Sequence, residues 1–442
     1  MPEIIADLHT HSKYARACSP LLELPAMARA ASEKGIQLLS TGDFTHPRWM
    51  EHLEENLVEI GTSGLYKMKN EELRMKNQLA NVQFIFGTEI SCIYRHNDKT
   101  RRIHLLVYAS NLAVAKQFNA ALEARGAKLA ADGRPIIGMS AKEVIKIAIE
   151  VDERMMVIPA HAWTPWFAVF GSKSGYDSLE ECFEELTPHI FAIETGLSSD
   201  PPMNHRLSKL DNIVLISNSD AHSLDNLGRE ANVFNFENEA DVTYDEIRRI
   251  LKERDRKKFL YTIEFYPEEG MYHFDGHRDC KFSSTPEETK RNKAICPVCK
   301  KKVTIGVLYR VDELADRPAE SIIDKNPVPE QSSARGKFIP HRYLVPLREI
   351  IAASFEVGKK SKKVEEEYRR LILALGSEFE ILLHRSVAQI EQITSDKNIA
   401  FGIQNMREGK VKIVPGFDGQ YGVVNPFPTE KLLGPAQSRL FE

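Results

Sequence analysis

Three short stretches with aspartate and hydroxyl side chains, two of them with histidine as well, each follow a short apolar run. They are residues 7–11 (DLHTH), 41–43 (TGD) and 219–222 (SDAH). Short apolar runs predict β-strands, and residues just past the ends of parallel strands converge at one mouth of an α/β barrel. Histidine and carboxylate side chains are costly to gather in one place unless a cation neutralises them. The sequence therefore predicts a hydrolytic site that holds several metal ions.

Eight histidine and carboxylate residues lie at or just after predicted strands and form the candidate ligand set. They are His9, His11, Asp43, Glu89, His104, His161, Asp220 and His222. Side-chain alternation in an extended segment places the two members of each His-x-His or Asp-x-His pair on one face. Such ligands suit zinc, manganese or iron, and a bridging carboxylate such as Glu89 can hold two cations that activate water against a phosphoester. One such residue alone would be interpreted as a core histidine or a cap, but the full set favours metal binding.

Three of the six cysteines are scattered, and the other three are clustered. The cysteines are Cys18, Cys92, Cys182, Cys280, Cys296 and Cys299. His277-x2-Cys280 and Cys296-x2-Cys299 form two pairs separated by 15 residues, a spacing typical of tetrahedral zinc. His277 is the fourth ligand by spacing, with His273 as the alternative. A chance cluster of reduced cysteines is the competing interpretation.

The elements that must position these residues follow from the alternation of apolar runs with amphipathic stretches. The predicted strands are residues 4–8, 36–41, 84–88, 103–108, 156–160, 190–194 and 213–217, and the helices between them include 24–34, 140–150 and 178–186. Seven strands alternating with helices predict a parallel, barrel-like α/β domain. We expect three regions: a barrel over 1–265, a zinc module over 266–320, and a mainly helical region over 321–442 with helices at 343–357 and 364–393.

Composition describes a soluble globular chain with uneven charge. Of the 442 residues, 42% are apolar and 28% are charged, and the net charge is −4. Residues 1–250 carry a net −9 and residues 251–442 a net +5, so an acidic half suited to cations precedes a mildly basic half that could hold a polyanion. No apolar run approaches the length of a membrane span, and no secretion signal is evident. We expect a cytoplasmic protein without membrane contact.

The pattern at the barrel mouth resembles the PHP (polymerase and histidinol phosphatase) superfamily, whose distorted seven-stranded barrels bind up to three metal ions. The resemblance implies one ion shared by His9, His11, Glu89 and Asp220, a second held by Glu89, His104 and His161, and a third to which Asp43 and His222 contribute. It implies catalytic roles for Asp220, Glu89 and His222. The sequence departs from the pattern at the third ion in two ways. Asp43 stands where many members have histidine, and no histidine follows His11 within the usual few residues, where Cys18 or His46 would be the substitute.

The zinc module narrows this resemblance. Residues 272–278 (YHFDGHR), 305–308 (IGVL) and 194–198 (ETGLS) are similar to the endonuclease Q family of DNA-repair enzymes, and the likeness runs from residue 7 to about residue 422. The resemblance implies hydrolysis 5′ to deaminated bases (deoxyuridine, deoxyinosine, deoxyxanthosine) and abasic sites after the lesion is flipped. The implied cofactors are two or three divalent ions (Zn, Mn, Mg or Fe) and one structural zinc. The implied partner is double- or single-stranded DNA, and repair or replication factors remain open.

Candidate substrate contacts lie in loops near the same mouth. They are Trp163, Trp166, Phe167, Gly171, Ser172, Thr195, Gly196, Asn204 and Asn218. Aromatic rings offer stacking surfaces for a base, and glycines let backbone amides approach a base edge or phosphate. The alternative is an aromatic loop that simply packs over the barrel. Basic residues for the DNA backbone are Arg335, Lys337, Lys359 and Lys360, although solvated lysines explain the last two equally well.

Three function classes compete on this evidence. The first is the metal-dependent endonuclease. The second is a small-molecule phosphatase of the histidinol-phosphatase type, which the barrel permits but which leaves the zinc module and basic region without a purpose. The third is a non-catalytic, helicase-associated DNA-binding protein with a closed metal site, for which the ligands are too numerous. We expect the endonuclease.

Overall fold

Apolar strands and amphipathic helices alternate through the first 265 residues of the computed structural model, which describes residues 3–69, 82–319 and 338–428. The strands are β1 Glu3–Asp7, β2 Leu38–Ser40, β3 Leu57–Glu59, β4 Tyr66–Met68, β5 Gln83–Ile85, β6 Gly87–His96, β7 Lys99–Tyr108, β8 Ile136–Ile137, β9 Met156–Pro159, β10 Ala192–Glu194, β11 Val214–Ile216, β12 Ala231–Asn235, β13 Phe259–Glu264, β14 Asp275–His277, β15 Phe282–Ser284, β16 His341–Tyr343, β17 Lys412–Val414 and β18 Val423–Asn425.

The α-helices lie between these strands and in the region after residue 340. They are α1 Leu24–Lys34, α2 Pro47–Asn56, α3 Leu112–Glu123, α4 Ala141–Val151, α5 Leu179–Phe183, α6 Pro201–Asn204, α7 Tyr244–Glu253, α8 Pro286–Arg291, α9 Val307–Leu314, α10 Leu347–Phe355, α11 Lys362–Leu375, α12 Val387–Ile393 and α13 Lys397–Arg407. No helix among these described residues is long and apolar enough to cross a membrane.

The seven predicted strands correspond to β1, β2, β5, β7, β9, β10 and β11, and together they form a distorted ring. β1, β2 and β5 pair in parallel, β7 pairs with β9, and β10 pairs with β11. Backbone hydrogen bonds from Ala109 to Phe86 and from Ala162 to Glu194 join these groups. A parallel bridge between Thr10 and Ala221 closes the ring. The predicted α/β barrel with a following cysteine cluster and helical region is confirmed.

The prediction that all seven strands are parallel is wrong, because β7 runs antiparallel to both β6 and β9. The cause is a two-residue turn: Asn97 and Asp98 have φ values of 49° and 57°, the backbone of a tight hairpin. Its consequence for the site is that His104 comes from the middle of a long strand rather than from a strand end. Strands β3, β4, β12 and β13 add to the sheet and were not predicted.

The strands bury apolar side chains on both faces, with the period of two that a sheet imposes. Ile4, Ala6 and Leu8 of the first strand segment belong to one apolar cluster, whereas Ile5 belongs to the second. Helix α7 packs against the first cluster, and the α1, α3 and α4 helices pack against the second. This two-sided burial fixes the register of the strand ends, and therefore the positions of the polar residues that follow them.

The region after residue 340 returns to the barrel and to the cysteine cluster. Strand β16 pairs in parallel with β13, so Tyr343, predicted as the first residue of a helix, is the last residue of a strand in the barrel sheet. The predicted helix 364–393 is broken: α11 ends before Gly376, whose φ is 102°, and a short π-helical turn precedes α12. The β17–β18 hairpin reaches back to the cysteine module through a bridge between Phe274 and Phe417.

Candidate metal centre

Three residues of the candidate centre have left-handed backbone geometry at ends of ring strands. Asp43, His161 and Asp220 have φ values of 48°, 28° and 45°. Non-glycine residues rarely adopt this region, which costs on the order of 1–3 kcal/mol each and tends to occur at functional sites. The surrounding packing imposes this geometry in order to turn the three side chains toward the ring mouth.

Glu89 lies at the middle of the centre and contacts a different group of ligands with each oxygen. Oε2 lies 3.6 Å from His9 Nε2 and 3.3 Å from His11 Nε2. Oε1 lies 2.6 Å from His104 Nδ1 and 3.1 Å from His161 Nε2. Glu89 therefore lies between the two groups of histidines, and its bridging of two ions stays a prediction.

The fourth member of the first group is Asp220. Its Oδ1 lies 3.5 Å from His9 Nε2 and 3.1 Å from His11 Nε2. Potential ligand atoms of His9, His11, Glu89 and Asp220 all lie within 4.8 Å of one another, and the same limit holds for Glu89, His104 and His161. Six of the eight predicted ligands are thus brought together in the two groups that the resemblance implied.

The first group fits a metal ion because one imidazole nitrogen is left for it. His9 Nε2 is buried and has no hydrogen-bond partner among the described residues, while His9 Nδ1 lies 3.1 Å from Glu194. On the neighbouring histidine, His11 Nδ1 lies 3.0 Å from Asp43 Oδ1. A carboxylate behind a histidine fixes the ring and raises its basicity, which is the usual arrangement behind a metal-bound imidazole.

Electrostatics keep the carboxylates ionised and one imidazole neutral. Burial alone would raise the pKa of Glu89, but His104 and Arg134 outweigh it and hold that pKa well below its usual range. Burial likewise opposes ionisation of Asp220, yet His9 and its neighbours hold the Asp220 pKa well below its usual range. Burial lowers the pKa of His104 to about 4, against the attraction of Glu89. These carboxylates and His104 are in the protonation states that metal ligands require, whereas Glu194 and Asp43 raise the pKa of His9 and His11, respectively, against the effect of burial.

No third ligand group occurs at the mouth among the described residues, and Asp43 orients a histidine; its part in a third ion stays a prediction. Both of its oxygens are committed, Oδ1 to His11 and Oδ2 to the backbone N–H and hydroxyl of Ser12, each at 2.6 Å. His222 is partly exposed, and its Nδ1 contacts the backbone carbonyl of Asp220 at 2.9 Å. The two residues join neither of the mouth groups, and the catalytic role of His222 stays a prediction.

Of the three predicted aromatic contacts in the loop after His161, two are partly exposed and one is buried. Trp166 and Phe167 are partly exposed, and the Phe167 ring lies 4.6 Å from that of His104. Trp163 is 1% exposed, and its indole N–H donates to Asn204 Oδ1 at 2.7 Å. The prediction that Trp163 and Asn204 contact substrate is therefore wrong, because each occupies the core and bonds the other.

Asn218 and Thr195 are also buried, and their predicted substrate contact is corrected to a structural one. The Asn218 amide donates to Glu194 at 2.8 Å, and Glu194 in turn holds His9. Thr195 lies between Ile216 and Glu264. Asn218 therefore supports His9 through Glu194, and Thr195 bonds to the neighbouring strands.

The glycines serve backbone packing. A Cβ at Gly196, whose φ is 68°, would lie 2.6 Å from His161 Cβ, and one at Gly171 would lie 2.5 Å from the Thr164 carbonyl oxygen. Gly171 is buried, so neither glycine offers an open amide cradle. Ser172 is partly exposed, and its Oγ has no hydrogen-bond partner among the described residues.

Two residues at this centre were not predicted from the sequence. Glu194 ends strand β10 in the same way that other candidates end theirs, so its position carried a usable signal. Arg134 lies in a loop with no such pattern, and its Nη1 donates to Glu89 Oε2 at 3.0 Å. Only the folded chain reveals this contact.

The cysteine module brings its four predicted ligands together. Sulfur or nitrogen atoms of His277, Cys280, Cys296 and Cys299 lie within 4.8 Å of one another, with 3.6 Å between His277 Nδ1 and Cys299 Sγ. Tight turns shape the cluster, because the Lys300 N–H donates to the Cys296 carbonyl at 2.9 Å. One histidine and three thiols are a donor set that suits tetrahedral zinc. The alternative ligand, His273, is buried elsewhere.

The predicted DNA-backbone residues have separate outcomes. Lys359 and Lys360 are exposed, and Lys359 Nζ pairs with Glu349 Oε1 at 3.1 Å. Their contact with DNA stays a prediction. Arg335 and Lys337 lie outside the described residues.

Fold and site together define a class of protein. An α/β ring carries two groups of histidines at its mouth, with one carboxylate between them. The ring is followed by a zinc-type module and a helical region. Sequence comparison finds two relatives. Protein MJ0043 of Methanocaldococcus jannaschii is 28% identical over 290 residues, which are 64% of this chain and 34% of that protein, so the match spans about a third of its length. Protein YqxK of Bacillus subtilis is 28% identical over 96% of this chain and 100% of its own.

A family described as the MJ0043 C-terminal domain matches residues 346–410. Among solved structures, the lesion-specific endonuclease PfuEndoQ from Pyrococcus furiosus superposes with a TM-score of 0.80 and 29% identity, covering 98% of this chain and 97% of that one. Endonuclease Q in complex with a 27-mer duplex that carries an abasic lesion at the active site superposes with a TM-score of 0.81 and 29% identity over 98% of both chains. The resemblance to endonuclease Q is thereby confirmed along nearly the whole chain.

Proposed function

We propose that this chain is a metal-dependent DNA-repair endonuclease that hydrolyses the phosphodiester 5′ to deaminated bases and abasic sites. The observation that carries the proposal is the correspondence over 98% of both chains with endonuclease Q bound to an abasic-lesion duplex. Neither a phosphatase nor a non-catalytic binding protein would require the barrel, the cysteine module and the helical region in this combination.

The residues of the mouth have different roles in the proposed reaction. Divalent ions held by the two groups would supply Lewis acidity and an activated water for phosphodiester hydrolysis. Glu89 ties the groups together, Glu194 and Asp43 orient the rings of His9 and His11, and Asp220 completes the first group. We assign catalytic roles to Glu89 and Asp220 on this basis.

Lesion recognition is proposed for the partly exposed rings of the loop that follows His161. Trp166 lies 5.8 Å from Tyr272 of the cysteine module, and Phe167 covers His104. A flipped base gains stacking energy on such rings, and flipping is least costly at damaged or mispaired bases. We propose residues 1–265 as the nuclease barrel, 266–320 as the zinc module and 321–442 as the region that contacts DNA.

The test is cleavage of end-labelled duplexes that contain deoxyuridine, deoxyinosine, deoxyxanthosine, an abasic site or no lesion, with Mg²⁺, Mn²⁺ or Zn²⁺. A single nick 5′ to the lesion, absent from the undamaged duplex and from chelated samples, supports the proposal. Turnover of a phosphomonoester without any nick would replace it with the phosphatase, and lesion binding without either reaction would replace it with the binding protein.

A further inference from the structure

Arg134 contacts the bridging carboxylate while keeping most of its guanidinium available. Its Nη1 donates to Glu89 Oε2 at 3.0 Å, the Glu89 side chain is fully buried, and the Arg134 side chain is 24% exposed. Glu89 is the only hydrogen-bond partner of this guanidinium among the described residues. A guanidinium carries five N–H donors, so the exposed edge at the mouth retains donors for a ligand.

The loop that carries Arg134 is held in place by backbone hydrogen bonds. The Arg134 N–H donates to Asp132 Oδ1 at 3.0 Å, and the Gly133 N–H donates to the Tyr14 carbonyl at 2.9 Å. Gly133 approaches Asp43 so closely that an added Cβ would lie 2.5 Å from Asp43 Oδ2. The charge of Arg134 is therefore held at the mouth before any substrate arrives, which is the condition for electrostatic stabilisation without reorganisation.

A third ion on Asp43 would compete with hydrogen bonds that this side chain already accepts. Each Asp43 oxygen already accepts hydrogen bonds, from His11 on one side and from Ser12 on the other. A phosphodiester in the mouth still needs positive charge on its non-bridging oxygens, and the planar fork of arginine matches phosphate geometry.

We propose that Arg134 binds the non-bridging oxygens of the scissile phosphodiester, in the place of a third ion. This inference rests on the proposed function for the identity of its substrate. The phosphate-binding role itself concerns the chemistry of the site and can be measured without DNA.

The test compares Arg134→Met with Arg125→Met, which removes an exposed arginine paired with Glu150 at 3.1 Å on the outer helices. Metal analysis of the wild-type chain and of both variants is expected to give two ions at the mouth and one in the cysteine module. Titration of metal-loaded protein with inorganic phosphate is expected to show at least about tenfold weaker binding for Arg134→Met alone. Its kcat on a lesion duplex is expected to fall on the order of 100- to 1000-fold, with partial recovery on addition of guanidinium.

Three results would overturn the inference: a third ion at the wild-type mouth, loss of a mouth ion from Arg134→Met, or phosphate affinity equal to wild type in that variant. Loss of an ion would mean that the arginine only holds Glu89 in place. If the wild-type chain cuts no lesion duplex, the proposed function fails, while the metal count and the phosphate titration still decide the role of Arg134.

Discussion

Glu89 is the residue on which both ligand groups depend, because each of its oxygens faces a different pair of histidines. Its negative charge is maintained against complete burial by the histidines and by Arg134. A neutral side chain of the same shape would keep the packing and remove the charge. The role of Glu89 is therefore separable from its contribution to the fold.

We expect Glu89→Gln to lower lesion cleavage by at least about 1000-fold, because an amide neither bridges two cations nor neutralises them. Metal analysis is expected to show fewer than two ions at the mouth. Glu150→Gln makes the same chemical change on an exposed helix and is expected to leave both quantities unchanged. Full cleavage by Glu89→Gln would remove Glu89 from the proposed site.

At the scale of elements, the position of each ligand depends on how a strand end packs. Helix α1 ends at Lys34, as predicted, and Gly35 follows in the left-handed region, which is a local signal for a helix end. The direction of β7 was not predicted, since a two-residue Asn97-Asp98 turn is a weaker signal than the apolar runs around it. The role of Trp163 depends on Asn204, and that of Asp43 depends on His11 and Ser12. These partners are distant in sequence, and no local pattern encodes such pairings.

Gly196 links the end of β10 to His161, so we expect Gly196→Ala to disturb the second ligand group. Its φ of 68° and the 2.6 Å separation of a new Cβ from His161 Cβ leave no space for a methyl group. The free energy of unfolding is expected to fall by about 1–3 kcal/mol, and cleavage by about 100-fold, because His161 is displaced from Glu89. Gly138→Ala is the control, since nothing lies within 4 Å of its Cβ position. Equal urea midpoints and equal rates for the two variants would contradict this reasoning.

Strands β12 and β13 carry a buried carboxyl pair that makes stability depend on pH. Glu230 and Glu264 are both fully buried, one residue beyond the Ala231–Ile263 pair. Burial raises the pKa of Glu264 to about 8 and that of Glu230 well above its usual range. The folded chain then keeps a proton that the unfolded chain loses above its ordinary pKa, so this contribution to stability is full at low pH and is lost as pH rises toward 8.

We expect the wild-type free energy of unfolding to fall by about 2 kcal/mol between pH 6 and pH 8 through Glu264. In Glu264→Gln this part of the slope is expected to disappear, because the amide does not titrate. Urea unfolding at pH 6, 7 and 8 measures the difference, with Glu150→Gln as an exposed control. Parallel pH profiles for wild type and Glu264→Gln would show that the carboxyl group is ionised in the folded chain.

Across the whole molecule, the cysteine module contacts both the barrel and the C-terminal hairpin. Arg310 of α9 donates to the Phe170 carbonyl of the barrel at 3.0 Å, and Arg317 pairs with Asp211 at 2.6 Å. Toward the hairpin, the Arg278 N–H donates to Asp418 Oδ2 at 2.7 Å. The zinc-type cluster thus stabilises a connector between the proposed nuclease barrel and the region proposed to contact DNA.

We expect Cys299→Ser to release one zinc per chain, because a hydroxyl is a poor substitute for a thiolate ligand. The barrel ions and phosphate binding at the mouth are expected to persist, while affinity for a lesion duplex falls and proteases cut within residues 266–319. Cys182→Ser, which replaces a buried cysteine outside the cluster, is expected to retain all zinc. Simultaneous loss of the mouth ions and the module zinc from Cys299→Ser would show one cooperative unit, whereas separate loss supports a connector that positions DNA without building the metal centre.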